Sequence, residues 1–321
     1  MSIPTDHSYP FDPTYGLDLD ALRAIAPPEP ALHFDEFWRA RHAATLGIHP
    51  EPRLSASASQ HPEWHVQDIV YLSTDQFEIG GWLLLPRDGL VTRGLVVGHG
   101  YGGRDEPDFD LPVTETAVLF PCFRGLSRSR RPPISSDPAR HVLTGIDKPE
   151  TLILGGCVDD VWLAVSVLTK LYPGLEGRIG YSGLSLGGGI GALAIAADRR
   201  IDRGHLVVPT FGNMPLWLTL PTLGSAGAVQ HYRTTHPDVL QTLRLFDAAT
   251  AATRIAVPML VAVARFDPAV APPCQFSVAN GLATSNHHET VILDAGHVDY
   301  PDMEDQHALL VEKVRHFFRA T

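Results

Sequence analysis

Apolar residues along the chain change their period in a repeating way. Leu95 to Val97 and Ala117 to Phe120 are short unbroken apolar runs, the pattern of strands buried on both faces. Val257 to Ala264 and Thr290 to Leu293 are stronger runs of the same kind. Val66 to Leu72 and Gly80 to Leu85 read as a pair of strands, and Arg178 to Ser182 as a weaker strand. Between them the period becomes helical. Val158, Val161, Trp162, Val165 and Leu168 predict a helix over Asp159 to Tyr172, stopped by Pro173-Gly174. Asp159 and Asp160 then read as helix-start residues. Gly187 to Ala197 reads as a helix of small residues, and Asp305 to Arg319 as a closing amphipathic helix. Strands alternating with helices predict an α/β fold: a mostly parallel sheet with helices on both faces.

Two stretches break this rhythm. The start is proline-rich, with Pro4, Pro10, Pro13, Pro27, Pro28 and Pro30, and residues 1–65 are expected to wrap the core as loops around one helix near Asp35 to Leu46. Phe211 to Ala252 is too long for a simple loop. It is expected to be a helical insertion, residues 211–252, near the C-terminal edge of the sheet, where sites form. At about 150 residues per domain, 321 residues allow two domains, but one large α/β domain fits the same prior.

Composition narrows the function. The formal charge of −11 and the pI near 5.8 disfavour nucleic acid and anionic membranes as partners. Cys122, Cys157 and Cys274 are isolated and odd in number, which argues against a disulfide framework or a zinc cluster. Met1 to Tyr9 has neither a basic patch nor an apolar run, so no signal peptide is expected, and no stretch nears the roughly 18 apolar residues of a membrane helix. A soluble, cytoplasmic protein without metal or cofactor is the expectation. The 16 histidines are unusual, because their full protonation would carry −11 to +5.

The candidate chemistry lies at three strand ends. Gly183-Leu184-Ser185-Leu186-Gly187 is a GxSxG pattern between a predicted strand and a small-residue helix, the setting of a nucleophile elbow. A glycine-rich helix start that merely packs closely is the plainer reading of the pattern alone. His99-Gly100-Tyr101-Gly102-Gly103 follows another strand, and the main-chain N–H of Tyr101, with that of Leu186, could face a developing oxyanion. Asp267 follows the strand ending at Ala264, and His297 follows the strand ending at Leu293. Ser185, Asp267 and His297 thus stand in the order nucleophile, acid, base. Asp294 and Asp299 flank His297 as competing acids, but Asp267 has the better strand-end position. His61 and His65 are separated by Pro62, against a helical metal face, and His287-His288 reads as a solvated loop. His99 is expected to hold its own loop.

These residues resemble the acetyl xylan esterase and cephalosporin C deacetylase family of α/β-hydrolases, carbohydrate esterase family seven. The resemblance runs over nearly the whole chain, from Leu17–Leu22 and Phe34-Asp35-Glu36-Phe37-Trp38, through His99-Gly100-Tyr101, Arg124-Gly125, Gly145-Ile146-Asp147 and Arg178-Ile179-Gly180. It continues through Gly183 to Gly189, Phe246-Asp247, Arg254-Ile255, Pro258, Asp267 to Asn280 and Gly296-His297. It implies an α/β-hydrolase fold, Ser185 as nucleophile, Asp267 as acid, His297 as base, and Tyr101 and Leu186 N–H groups as the oxyanion hole. It further implies that Tyr101 and Pro209 crowd the acyl pocket and favour acetyl. The family acts in the cytoplasm on small acetylated sugars and assembles as a hexameric ring with inward-facing sites.

This chain departs from the family's pattern at several places. Leu186 replaces the glutamine of its SQGGG, Leu126 that of its RGQ, and Val298 the acid of its GHE; the prolines after the acid shift to Ala271-Pro272-Pro273. Leu186 still supplies a main-chain N–H. Short-chain ester hydrolysis is therefore the expected function. A broader carboxylesterase acting on non-sugar esters stays open beside it, as do a peptidase, a metal deacetylase and a non-catalytic binding protein that keeps the fold.

Overall fold

The unbroken apolar runs occupy the middle of a nine-stranded sheet. The protein is described here from a computed structural model covering residues 7–282 and 288–319, so His287 lies outside the described residues. Nine strands, β1 (Arg53–Ala56), β2 (Trp64–Ser73), β3 (Phe77–Pro86), β4 (Arg93–Gly98), β5 (Thr116–Pro121), β6 (Ile179–Leu184), β7 (Ile201–Val207), β8 (Met259–Ala264) and β9 (His288–Leu293), are ordered β1-β2-β3-β5-β4-β6-β7-β8-β9. From β5 through β4 to β9 every neighbour is parallel; β1, β2 and β3 add an antiparallel flank.

Alternation across each central strand explains why these runs show no polar period. Val96, Leu119, Val261 and Val263 face the larger core under the helices Phe34–Leu46, Ile153–Leu171 and Leu186–Ala197. Leu95, Val97, Phe120, Leu260 and Ala262 face the opposite core, closed by Leu310, Val314 and Phe318 of the C-terminal helix Met303–Arg319. Two strands escape a pattern reading. β1 is exposed throughout, and β7 carries Asp202, Arg203 and His205 in its short run. The stretch 211–252 holds the short helices Met214–Trp217, Ala226–Arg233, Val239–Leu243 and Ala248–Ala252.

The helix expected from Asp159 begins six residues earlier, at Ile153. Asp159 and Asp160 are therefore not helix-start residues; both are buried in its interior. Gly155 and Gly156, in the first turn, add no apolar side chain to the helical period. They are contact sites: a Cβ on Gly155 would lie 2.7 Å from Arg41 Cζ, and one on Gly156 would lie 2.5 Å from Arg124 Cζ. Arg41 donates to both Asp159 oxygens at 2.9 and 2.7 Å. Arg124 donates to Asp160 through Nη2 at 2.7 Å and through its own N–H at 3.1 Å, and to Ser73 and Thr74 hydroxyls. A buried pair of this kind costs most when one partner is removed, because the other charge is left without compensation.

Asp160→Ala is expected to lower unfolding free energy by about 3–5 kcal/mol in urea titrations. The double change Arg124→Met with Asp160→Leu is expected to cost clearly less than Asp160→Ala, since no charge is then stranded.

Candidate active site

Ser185 sits in the turn between β6 and the helix Leu186–Ala197, with φ 54° and ψ −110°. That conformation costs a non-glycine residue about 1–3 kcal/mol and must be held from outside. The turn is bound on three sides. Ser185 N–H donates to Val207 O at 2.9 Å, Thr210 N–H donates to Ser185 O at 3.2 Å, and Gly187 N–H donates to His99 O at 3.0 Å. Only glycine fits beside it: a Cβ on Gly183 would run into Gly187 O, and one on Gly187 would stand 2.8 Å from the Gly98 carbonyl carbon.

The three predicted side chains converge. Ser185 Oγ lies 2.9 Å from His297 Nε2, and His297 Nδ1 lies 2.7 Å from Asp267 Oδ2. An ionised carboxylate only accepts, so Nδ1 carries the proton and Nε2 is left to accept from the Ser185 hydroxyl. Asp267 is fully buried. Its second oxygen accepts from the N–H groups of Ala269 and Val270 at 2.8 and 2.9 Å. Asp294, a competing acid by sequence, is buried elsewhere, its N–H bonded to Gln306.

Sequence reading missed Gln275. Its amide donates to Asp267 Oδ2 at 2.8 Å and to Val270 O at 2.7 Å, while its carbonyl accepts from Ala264 N–H at 2.8 Å. It therefore ties the acid to the end of β8. The signal was present: a glutamine in the mostly apolar, buried helix Pro272–Gly281. Gly296 is the second miss, since a Cβ there would fall 2.5 Å from Asp267 Oδ2.

The loop after β4 is pinned by His99. Phe123 N–H donates to His99 Nε2 at 3.0 Å, which places the ring proton on Nδ1, and Nδ1 donates to Gly100 O at 2.7 Å. Burial pushes His99 down to about 4, so it stays neutral and keeps both bonds. Behind the loop, His141 packs edge-on against Tyr101 at 5.5 Å and donates from Nε2 to the carbonyl of Arg124. Leu186 is the first residue of its helix, so its N–H has no partner one turn back, and the helix end favours negative charge beside Ser185. Leu186 and Leu126, where the resembled family carries glutamine, are both buried in the larger core. Val298 is half-buried. Pro209 is buried behind the helix start, its Cα 2.9 Å from where a Gly188 Cβ would be. Thr210, not Pro209, lines the cavity over Ser185.

A sequence model of the acetyl xylan esterase family (AXE1) matches residues 14–313. The chain belongs to that family. Solved structures agree on the α/β-hydrolase fold. An acetyl xylan esterase from Paenibacillus sp. R4 is 22% identical with a TM-score of 0.78, covering 92% of this chain and 99% of its own. Acetyl xylan esterase 1 from Thermoanaerobacterium sp. JW/SL YS485 is 18% identical with a TM-score of 0.78, covering 95% and 99%. An esterase from Pyrococcus furiosus is more distant, with 17% identity, a TM-score of 0.57 and coverage of 85% and 98%. This member of the family is a carboxylic ester hydrolase whose substrate class is small-molecule esters.

The esterase's cavity over Ser185 and His297 has a volume of about 410 Å³. Among the described residues no group of three or more His, Cys, Asp or Glu side chains could hold a metal ion, and no helix is long and apolar enough to cross a membrane. All three cysteines are buried free thiols. Burial alone would depress His297, but the hydrogen bond and charge of Asp267 outweigh it and hold the imidazole above its usual value. Only the neutral ring can accept the Ser185 proton. A site that uses this ring as its base is therefore expected to lose activity as pH falls through a pKa above the ordinary one. In a pH–rate profile, kcat/KM is expected to drop on the acid side with a midpoint above about 6.5; a midpoint clearly below that value contradicts the Asp267–His297 pairing.

Proposed function

We propose that Ser185, His297 and Asp267 carry the hydrolysis of short-chain, chiefly acetyl, esters through a covalent acyl-enzyme. The observation that carries this reading is the continuous chain Ser185 Oγ, His297 Nε2, His297 Nδ1, Asp267 Oδ2, with links of 2.9 and 2.7 Å. Ser185 Oγ attacks the ester carbonyl while Nε2 takes its proton. The carbonyl oxygen becomes negative and is held by the N–H groups of Tyr101 and Leu186, each such donor being worth about 10²–10³ in rate. Nε2 then returns the proton to the departing alcohol oxygen. Water enters and attacks the acyl carbon while giving a proton to Nε2, and Nε2 passes that proton to Ser185 Oγ as the acyl–oxygen bond breaks, which frees the acid. Asp267 stays ionised throughout and stabilises the imidazolium. The Tyr101 ring and Thr210 bound the acyl side and favour a small acyl group.

Acetylated sugars are one source of the alcohol, suggested by the acetyl xylan esterases that share the fold. A non-sugar ester is the second reading, favoured by the apolar cavity wall treated below. The same proposal takes residues 1–321 as one α/β-hydrolase domain, with 1–65 as a wrapping extension and 211–252 as an insertion. Support comes from the single sheet that bears every site residue. A cytoplasmic location is proposed with it, supported by the three free thiols. Assembly is proposed as a homo-oligomer, hexameric as in the resembled family, and light scattering is expected to read a mass near six chains.

Ser185→Ala is expected to lower turnover of an aryl acetate on the order of 10⁵–10⁶-fold while leaving the circular dichroism spectrum in place. Turnover retained by Ser185→Ala would overturn the mechanism.

A further inference from the structure

The cavity over Ser185 has a largely apolar wall. Leu184, Trp217, Leu223, Ala226, Ala269 and Val270 supply it. Leu184 and Leu223 are 48% and 59% exposed and border the same cavity, so they are not apolar side chains scattered singly over the surface. Leu223 is not on a loose tip. Its N–H donates to Pro268 O at 2.8 Å, and Thr222 Oγ1 donates to Ala269 O at 2.7 Å. These bonds zip residues 222–223 onto the segment that directly follows Asp267. Leu223 therefore stands with Ala269 and Val270 on the side of the cavity that holds the acid and base.

Reaction geometry says which part of the ester meets this wall. The leaving oxygen must take its proton from His297 Nε2, so the alcohol departs on the His297 side. Polar side chains are few there. Beyond Ser185 and His297, the polar side-chain groups that line the cavity belong to Asp137, Thr210, Ser225 and the Trp217 indole, and Asp137 Oδ1 already accepts from Ala139 N–H at 2.9 Å. The Tyr101 hydroxyl is buried and does not open to solvent. A sugar placed here would turn several hydroxyls against carbon, giving up water without regaining a partner.

We infer that the alcohol half of the substrate is apolar, a ring or short alkyl group seated against Leu223, Leu184 and Val270, and that Leu223 is a specificity-determining residue. This rests on the esterase reading above. Three acetates separate the two ideas: methyl acetate, benzyl acetate and a methyl xyloside carrying one acetyl group. The xyloside has the better leaving group, so chemistry alone does not favour the benzyl ester. With the full-length protein, kcat/KM for benzyl acetate is expected to exceed that for the xyloside by about tenfold or more. Leu223→Asn is expected to cut the ratio of benzyl to methyl acetate by about fivefold, whereas Leu223→Met keeps the ratio within about twofold. Methyl acetate turned over with the xyloside equal to or better than benzyl acetate overturns the apolar-alcohol inference and leaves the esterase. A ratio unmoved by Leu223→Asn overturns the role of Leu223. All three acetates inert, with Ser185 unlabelled by an organophosphonate, overturns both.

Discussion

The backbone at Ser185 is held in a conformation that its side chain opposes, and the middle of the molecule is arranged to hold it there. Three strands take part. β6 delivers the residue, the end of β7 accepts its N–H through Val207, and the loop after β4 accepts the Gly187 N–H through His99. Each of these bonds is worth only about 1 kcal/mol net. Together they match a strain of a similar size, and they also bring the nucleophile elbow and the Gly100–Tyr101 loop into one rigid unit. Hydroxyl and candidate oxyanion donors are thereby positioned by the same contacts.

A second layer holds the acid and the base, and it comes from parts of the chain far from the elbow. Gln275 ties Asp267 to β8, the Asp267 N–H donates to Pro13 O in the N-terminal segment, and Asn280 donates to Leu22 and Ile25 carbonyls of that same segment. The proline-rich start therefore braces the acid loop. Beneath the opposite side, the Arg124–Asp160 pair and His141 support Tyr101. Among the described residues the buried histidines, His99, His141 and His205, serve packing or hydrogen bonding. Among the described residues one imidazole, His297, is placed between a carboxylate and a hydroxyl.

Much of this was legible before the fold was known, because it rests on local rules. Buried strands such as Ala117–Phe120 announce themselves by unbroken apolar runs, and a helix such as Met303–Arg319 by its one-sided stripe. What misled was local sequence whose reason is tertiary. Gly155 and Gly156 add no apolar side chain to the helical period, and they are small because two guanidinium groups lie on them. Asp159 and Asp160 resemble a cap, yet their partners, Arg41 and Arg124, are more than thirty residues away. β7 hides because Asp202, Arg203 and His205 interrupt its apolar character.

The sequence by itself determined the α/β class and the order of the candidate side chains Ser185, Asp267 and His297, since strand-end placement and residue chemistry are both written locally. Only the tertiary structure supplies the reason that Asp267 meets His297. Asp267, Asp294 and Asp299 are chemically alike, and burial with four donors at hydrogen-bond distance singles out one. It also decided the wall that faces the alcohol. Leu184, Trp217, Leu223 and Val270 lie as far as 86 positions apart in the chain and become neighbours only when the sheet and its insertion close over Ser185.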